Sequence, residues 1–186
     1  MDMEAFWNVI EEANERSQGV MERKCELVRD AVAAMPPESA VAFSTHFDDL
    51  MRRAYTWDLW GAAYVINGGC SDDTFSDFRA SLVSRGERAF ERAVAAPDSL
   101  ADEAFDAGAW FFEGFQYAVH EGAESAVSPQ KLNIAPVPGE PSGAPWEESP
   151  DVLKARYPLL WKRFEAVWSV SEEPRAPGSR PWWKIW

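Results

Sequence analysis

Cys70-Ser71-Asp72-Asp73 sets a thiol, a hydroxyl and two carboxylates in four consecutive residues directly after Gly68-Gly69, with Arg79 two helical turns further on. A thiol at a helix N-terminus can act as a nucleophile, because the positive end of the helix dipole favours the thiolate. Asp72, Asp73, Arg79 and a histidine such as His46 would then move protons and balance charge. Two adjacent carboxylates work against the thiolate, however, and the same residues are what a helix start requires. Ser71 serves as N-cap and the two aspartates complement the dipole. Capping alone accounts for Ser71, Asp72 and Asp73. Asp72, Asp73 and Asp77 also offer oxygens to a hard cation, but the glycine and terminal glutamate of a calcium loop are missing. A structural ion pair with Arg79 or Arg53 is the expected role.

The second set of reactive groups surrounds His120, which lies near Glu113 and Glu121. The chain has only two histidines. A di-iron bundle site needs Glu-x-x-His twice, whereas the residues three before His46 and His120 are Phe43 and Tyr117. No second histidine follows His120-Glu121 at zinc-protease spacing, and Cys25 and Cys70 make no Cys-x-x-Cys pair. Phosphate-binding glycine loops and the Gly-x-Ser-x-Gly elbow are absent as well. The expectation is therefore no metal and no cofactor.

Trp57, Trp60 and Tyr64, with Trp110, Phe111 and Phe115, recur at helical spacing and serve either as core or as the wall of a groove for an apolar ligand. Glu113 and His120, with Asp58, Asn67 and Gln116, would supply the groove's polar groups. Trp182, Trp183, Lys184 and Trp186 crowd the C-terminal end, where exposed indoles are an aggregation hazard unless something covers them. Docking on the protein's own surface is the expected outcome. Capture by a partner, contact with a membrane interface and modification of the tail by another enzyme are the alternatives.

The elements that must carry these groups read as helices. Phe6, Val9, Ile10 and Ala13 form one stripe; Val20, Leu27, Val28, Ala31 and Met35 extend it past a break at Gly19. Pro36-Pro37 ends that stretch and starts a third helix with Val41, Phe47, Leu50, Met51 and Ala54. A fourth runs from Trp57 to Gly68-Gly69, a fifth from Ser71 to Arg85-Gly86, and a short sixth holds Phe90 and Val94. Leu100, Phe105, Trp110, Phe111, Phe115 and Val119 predict a long seventh. Proline and glycine dominate residues 129–150, a crossing loop. Ser149-Pro150-Asp151 then opens a last helix that Pro158 kinks or divides. The predicted fold is a single all-α domain of about seven or eight helices over residues 1–170, with residues 171–186 as a Trp-rich tail.

The chain has 186 residues and a formal net charge of −13. That charge repels nucleic-acid phosphates, so a protein or peptide partner or a small apolar ligand is expected instead. The oligomeric state stays open. No apolar run approaches a membrane span, and the acidic start MDMEAFW lacks the basic flank of a secretory signal. With two unpaired-looking cysteines, the expected setting is cytoplasmic.

Phe6-Trp7, Leu59-Trp60 with Ala62-Ala63-Tyr64, Gly68-Gly69-Cys70-Ser71-Asp72-Asp73, Phe75, Phe78-Arg79 and Pro97-Asp98-Ser99-Leu100 together resemble a bacterial family known as domain of unknown function 4240. The resemblance spans about residues 1–100, and Trp146 with Tyr157-Pro158-Leu159 resembles the family's C-terminal segment. It implies no established activity. The terminal Trp-rich heptad departs from the family pattern. The leading functional expectation is a non-enzymatic binding or interaction protein that uses an aromatic groove or its acidic face. An enzyme built on Cys70, Asp72, Asp73, Arg79 and His46, and a precursor with a modified tail, are the alternatives.

Overall fold

The computed structural model describes residues 1–127 and 139–169, and these are mostly helical, with no strand and one isolated bridge between Thr56 and Ser142. In chain order the helices are α1 (Met3–Ser17), α2 (Met21–Ala33), α3 (Pro37–Arg53), α4 (Trp57–Asn67), α5 (Asp72–Val83), α6 (Glu87–Ala95), a 3-10 turn (Pro97–Asp102), α7 (Ala107–Trp110), α8 (Gly114–Ala126), α9 (Pro150–Arg156) and α10 (Pro158–Ser169). The all-α expectation holds, but the count is eleven among the described residues rather than seven or eight. The excess has local causes. Gln18 and Gly19 both take positive φ and separate α1 from α2. The long seventh helix is divided because Asp106 caps Gly108, and Phe112 N–H turns to the Ser81 hydroxyl at 3.2 Å. The bend lets Phe105, Trp110 and Phe115 all enter the core. Pro158 divides the last helix into α9 and α10.

Helix α4 lies at the centre: every residue from Trp57 to Ile66 except Asp58 is buried. Thr56 caps its start, accepting from Leu59 N–H at 3.1 Å, and Gly68 ends it in the left-handed conformation at φ +69°. Its rings begin an aromatic column, Trp57–Trp60–Phe75–Phe78–Trp110–Phe105, with centroid spacings of 4.9–6.4 Å and interplanar angles of 10–21°. Offset stacking on this scale adds to what burial alone contributes.

Residues 139–169 close over α4 by a repeated device. Trp146 indole N–H donates to Trp57 C=O at 3.0 Å, Tyr157 hydroxyl to Asp58 C=O at 2.8 Å and Trp168 indole N–H to Val65 C=O at 3.0 Å. Each large ring thus satisfies its polar atom on an α4 carbonyl, and Trp168 does so at the C-terminal turn, where Val65 C=O lacks a backbone partner among the described residues because Gly69 N–H bonds Tyr64 C=O. Asp98 fixes the same segment from below, because its carboxylate accepts from Leu159 N–H at 3.1 Å and Leu160 N–H at 2.9 Å. It caps α10 from the distant 3-10 turn. On the opposite side α2 and α8 cross so closely that a Cβ at Gly122 would sit 2.8 Å from Arg29 C=O.

Candidate functional site

The Cys70 segment builds a helix start. Ser71 hydroxyl accepts from Thr74 N–H at 3.2 Å as the N-cap of α5, and Trp60 indole N–H donates to Cys70 C=O at 2.9 Å. Cys70 itself is buried, and burial pushes its thiol well above the usual range, with Asp72 and Asp77 adding to the rise. Such a thiol is a poor nucleophile at neutral pH. Asp72 is exposed and receives a 3.4 Å hydrogen bond from Tyr55 hydroxyl.

Arg79 points into the core. It is 3 % exposed, donates from Nη1 to Met51 C=O at 2.9 Å, and lies over the rings of Tyr55 at 4.5 Å and Phe75 at 5.1 Å. Burial lowers its pKa to about 10, so it stays charged at neutral pH, held by π faces and one carbonyl. The expected ion pair between Arg79 and Asp73 or Asp77 does not form among the described residues. Arg53 pairs with Glu91 instead. His46 sits in the middle of α3, its Nε2 3.1 Å from Met1 C=O and its ring against Phe6. Its contacts therefore tie the N-terminus and do not join the α5 cap.

The second predicted set also comes apart. His120 Nε2 meets Asp48 Oδ1 at 3.0 Å across α3 and α8, with Phe47 edge-on at 5.8 Å. Glu113 lies elsewhere, at the N-cap of α8. The open aromatic groove expected from Trp57, Trp60, Tyr64 and Trp110 is filled by the chain's own side chains. All four are 1–7 % exposed, and Tyr64 packs on Trp146 at 4.9 Å and on Trp168 at 5.6 Å. Trp182, Trp183, Lys184 and Trp186 lie outside the described residues.

What the fold does bring together was not legible as a motif. Asp73, Thr74, Ser76 and Asp77 of α5 face Glu113, Gln116 and Tyr117 at the start of α8 across a cleft of about 500 Å³. Ser76 hydroxyl bonds Gln116 at 3.3 Å and ties the two walls. Tyr117 leaves more than half of its surface exposed. Among the described residues no Lys or Arg pairs with Asp73, Asp77 or Glu113. Partial burial, with Glu113 and Asp73 nearby, raises the Asp77 pKa from 3.8 to about 6. No group of three or more His, Cys, Asp or Glu among the described residues is arranged to hold a metal ion.

The raised Asp77 value fixes the sign of a pH effect. A carboxyl whose folded pKa exceeds its unfolded one favours the fold when protonated, so its contribution is complete below about pH 4. It is lost as pH rises through about 6. Asp77→Asn is therefore expected to leave stability nearly unchanged at pH 4 and to raise it at pH 8. Urea unfolding across that range checks this, and a variant-minus-wild-type difference that stays flat with pH would count against it.

No helix among the described residues is long and apolar enough to cross a membrane. Neither curated proteins nor solved structures give a match to the chain. Residues 1–124, from α1 through most of α8, match the model of the family described as protein of unknown function (DUF4240), and the chain belongs to that family.

Proposed function

We propose that this protein is an acidic helical binding protein without a reaction of its own, in which the α5–α8 cleft receives a cationic group of a protein or peptide partner and the Trp-rich tail docks on the protein itself. The observation that carries the reading is the trio Asp73, Asp77 and Glu113, held around one opening beside an exposed tyrosine ring with no cation of the described chain against them. Like charges held together cost free energy that an incoming ammonium or guanidinium returns, and Tyr117 offers it a π face. The distribution of the other reactive groups supports the same reading. Cys70, Arg79, His46 and His120 are each engaged in separate local contacts.

The test is a titration of the isotopically labelled full chain with a short peptide of alternating arginine and glycine. Saturable shifts are expected at Thr74, Ser76, Gln116 and Tyr117. Affinity is expected to rise from pH 5 to pH 7, since cation binding favours ionised Asp77, and to fall with salt. Asp73→Asn combined with Glu113→Gln is expected to weaken binding about tenfold, given the loss of two partly exposed pairs of modest individual worth. Shifts centred elsewhere, or no saturation, would defeat the cleft reading.

A further inference from the structure

The described chain ends on an aromatic surface. Over its last turns Trp161 and Trp168 stack at 5.1 Å on one stripe of α10, with Glu165 between them in the helical register. Both rings are half-buried. Val167 remains 39 % exposed, and a Cβ at Gly68 would clash with it, so the end of α10 lies at the end of α4. Glu165 is exposed on the same stripe, and Glu148 bonds Tyr64 hydroxyl nearby. The surface therefore combines indole faces with carboxylates.

Beyond Ser169 the sequence continues for seventeen residues. From Arg175 onward it carries three cations, Arg175, Arg180 and Lys184, three indoles, Trp182, Trp183 and Trp186, and no acidic side chain. This composition complements the Trp161–Glu165–Trp168 stripe in both charge and ring character. Distance favours the same place. Helix α10 has twelve residues, roughly 18 Å, while the twelve residues between Ser169 and Trp182 span up to about 43 Å when extended. A chain that turns back at Ser169 reaches the whole stripe through a short loop, and short loops cost the least closure entropy. The fold already seats the preceding segment in this way, with Trp146 and Trp168 donating their indole N–H groups to α4 carbonyls.

We infer that Trp182, Trp183 and Trp186 dock on the Trp161–Trp168 stripe of α10, with Arg180 or Lys184 against Glu165, so that the tail forms the outermost layer over α4. This locates the tail docking of the reading above and does not depend on the α5–α8 cleft.

The two native cysteines make a direct test available. Cys25 and Cys70 are both buried, and burial pushes both thiols up, Cys25 to about 11, so a surface cysteine can be spin-labelled selectively. The full chain is prepared with 5-fluorotryptophan, its fluorine resonances are assigned by single Trp→Phe variants, and a nitroxide is placed either at Glu165→Cys or at Asp73→Cys. The label at 165 is expected to broaden the resonances of Trp182, Trp183 and Trp186 at least fivefold more than the label at 73. The broadening is expected to persist when labelled protein is diluted into unlabelled protein. Because Glu165→Cys removes the proposed charge partner, a label at exposed Lys162→Cys serves as the second variant. Stronger broadening from position 73 would place the tail in the acidic cleft. Equal and weak broadening from every label would mean that the tail does not dock on this protein, and loss on dilution would mean that it docks on another copy. Each of these three overturns the inference, and the peptide titration at the cleft reads independently of all of them.

Discussion

Gly61→Ala is expected to destabilise the protein by about 3 kcal/mol, the cost of forcing one extra carbon into a filled core. For a chain of this size that lowers the melting temperature by about 6–12 °C. The sign is informative, because in an ordinary helix interior the same change would add roughly 1 kcal/mol of stability through helix propensity. Here a Cβ would lie 2.9 Å from the Trp146 indole nitrogen and closer still to the Tyr157 hydroxyl. Neither group can step aside without leaving its carbonyl on α4, at Trp57 and Asp58. Tyr157→Phe by itself should cost about 1 kcal/mol, the net worth of one hydrogen bond. In the Gly61→Ala background the same change removes the nearest clashing atom, so it should cost less or restore stability. Thermal and urea unfolding of the four proteins complete the cycle. Additive losses would mean that residues 139–169 do not press on α4 as described.

The same contact explains how much of this fold the sequence displayed. Stripes such as Phe6, Ile10 and Ala13, or Phe43, Phe47 and Leu50, point one face of a helix inward and are read directly from spacing. Ser71 as a cap and Gly68 as a stop were legible because their chemistry is local. Helix α4 is apolar on nearly every side, Asp58 excepted, and such a helix belongs at the centre of a bundle. Which segment covers it was not, since Trp146, Tyr157 and Trp168 are about ninety to a hundred residues from their acceptors. Asp98 shows the same limit. As part of a Pro-Asp-Ser-Leu break it reads as a local cap, yet its carboxylate holds α10 about sixty residues on.

The candidate site follows the same division. Asp73 and Asp77 are four apart and announce a shared helical face, but their neighbour Glu113 arrives from α8, thirty-six residues after Asp77. A break at Asp106 and Gly108 shifts Glu113 off the register that an unbroken helix would have given it. Lys24 was missed for a related reason. Its hydrocarbon stem is buried, its ammonium donates to Ser84 C=O at 3.2 Å, and so it closes the C-terminus of α5 from α2. Desolvation, with Arg85 nearby, lowers its pKa to about 8. Nothing in the local sequence of α2 separates this lysine from a surface one.

Arg79 is where a structural and a catalytic role make opposite predictions. Truncation to alanine leaves a cavity beneath Tyr55 and Phe75 and frees Met51 C=O, and an expected loss of about 3–4 kcal/mol follows from the lost packing and the lost cation–π contacts. Methionine fills similar space without a charge. Because Arg79 Nε has no hydrogen-bond partner among the described residues, and burial already lowers the guanidinium pKa, exchanging the charge for an apolar chain removes a desolvation penalty along with the favourable contacts. Arg79→Met is therefore expected to fall within about 1.5 kcal/mol of wild type, a far smaller loss than alanine causes. Peptide binding at the α5–α8 cleft should be unchanged in Arg79→Met, since the side chain faces the Tyr55 and Phe75 rings and makes no ion pair with Asp73 or Asp77. Equal, severe losses in both variants would show that the charge itself is required. In that case Arg79 would return, with Cys70 and Asp72, as part of a working site rather than as the cation that fills the space between α3 and α5.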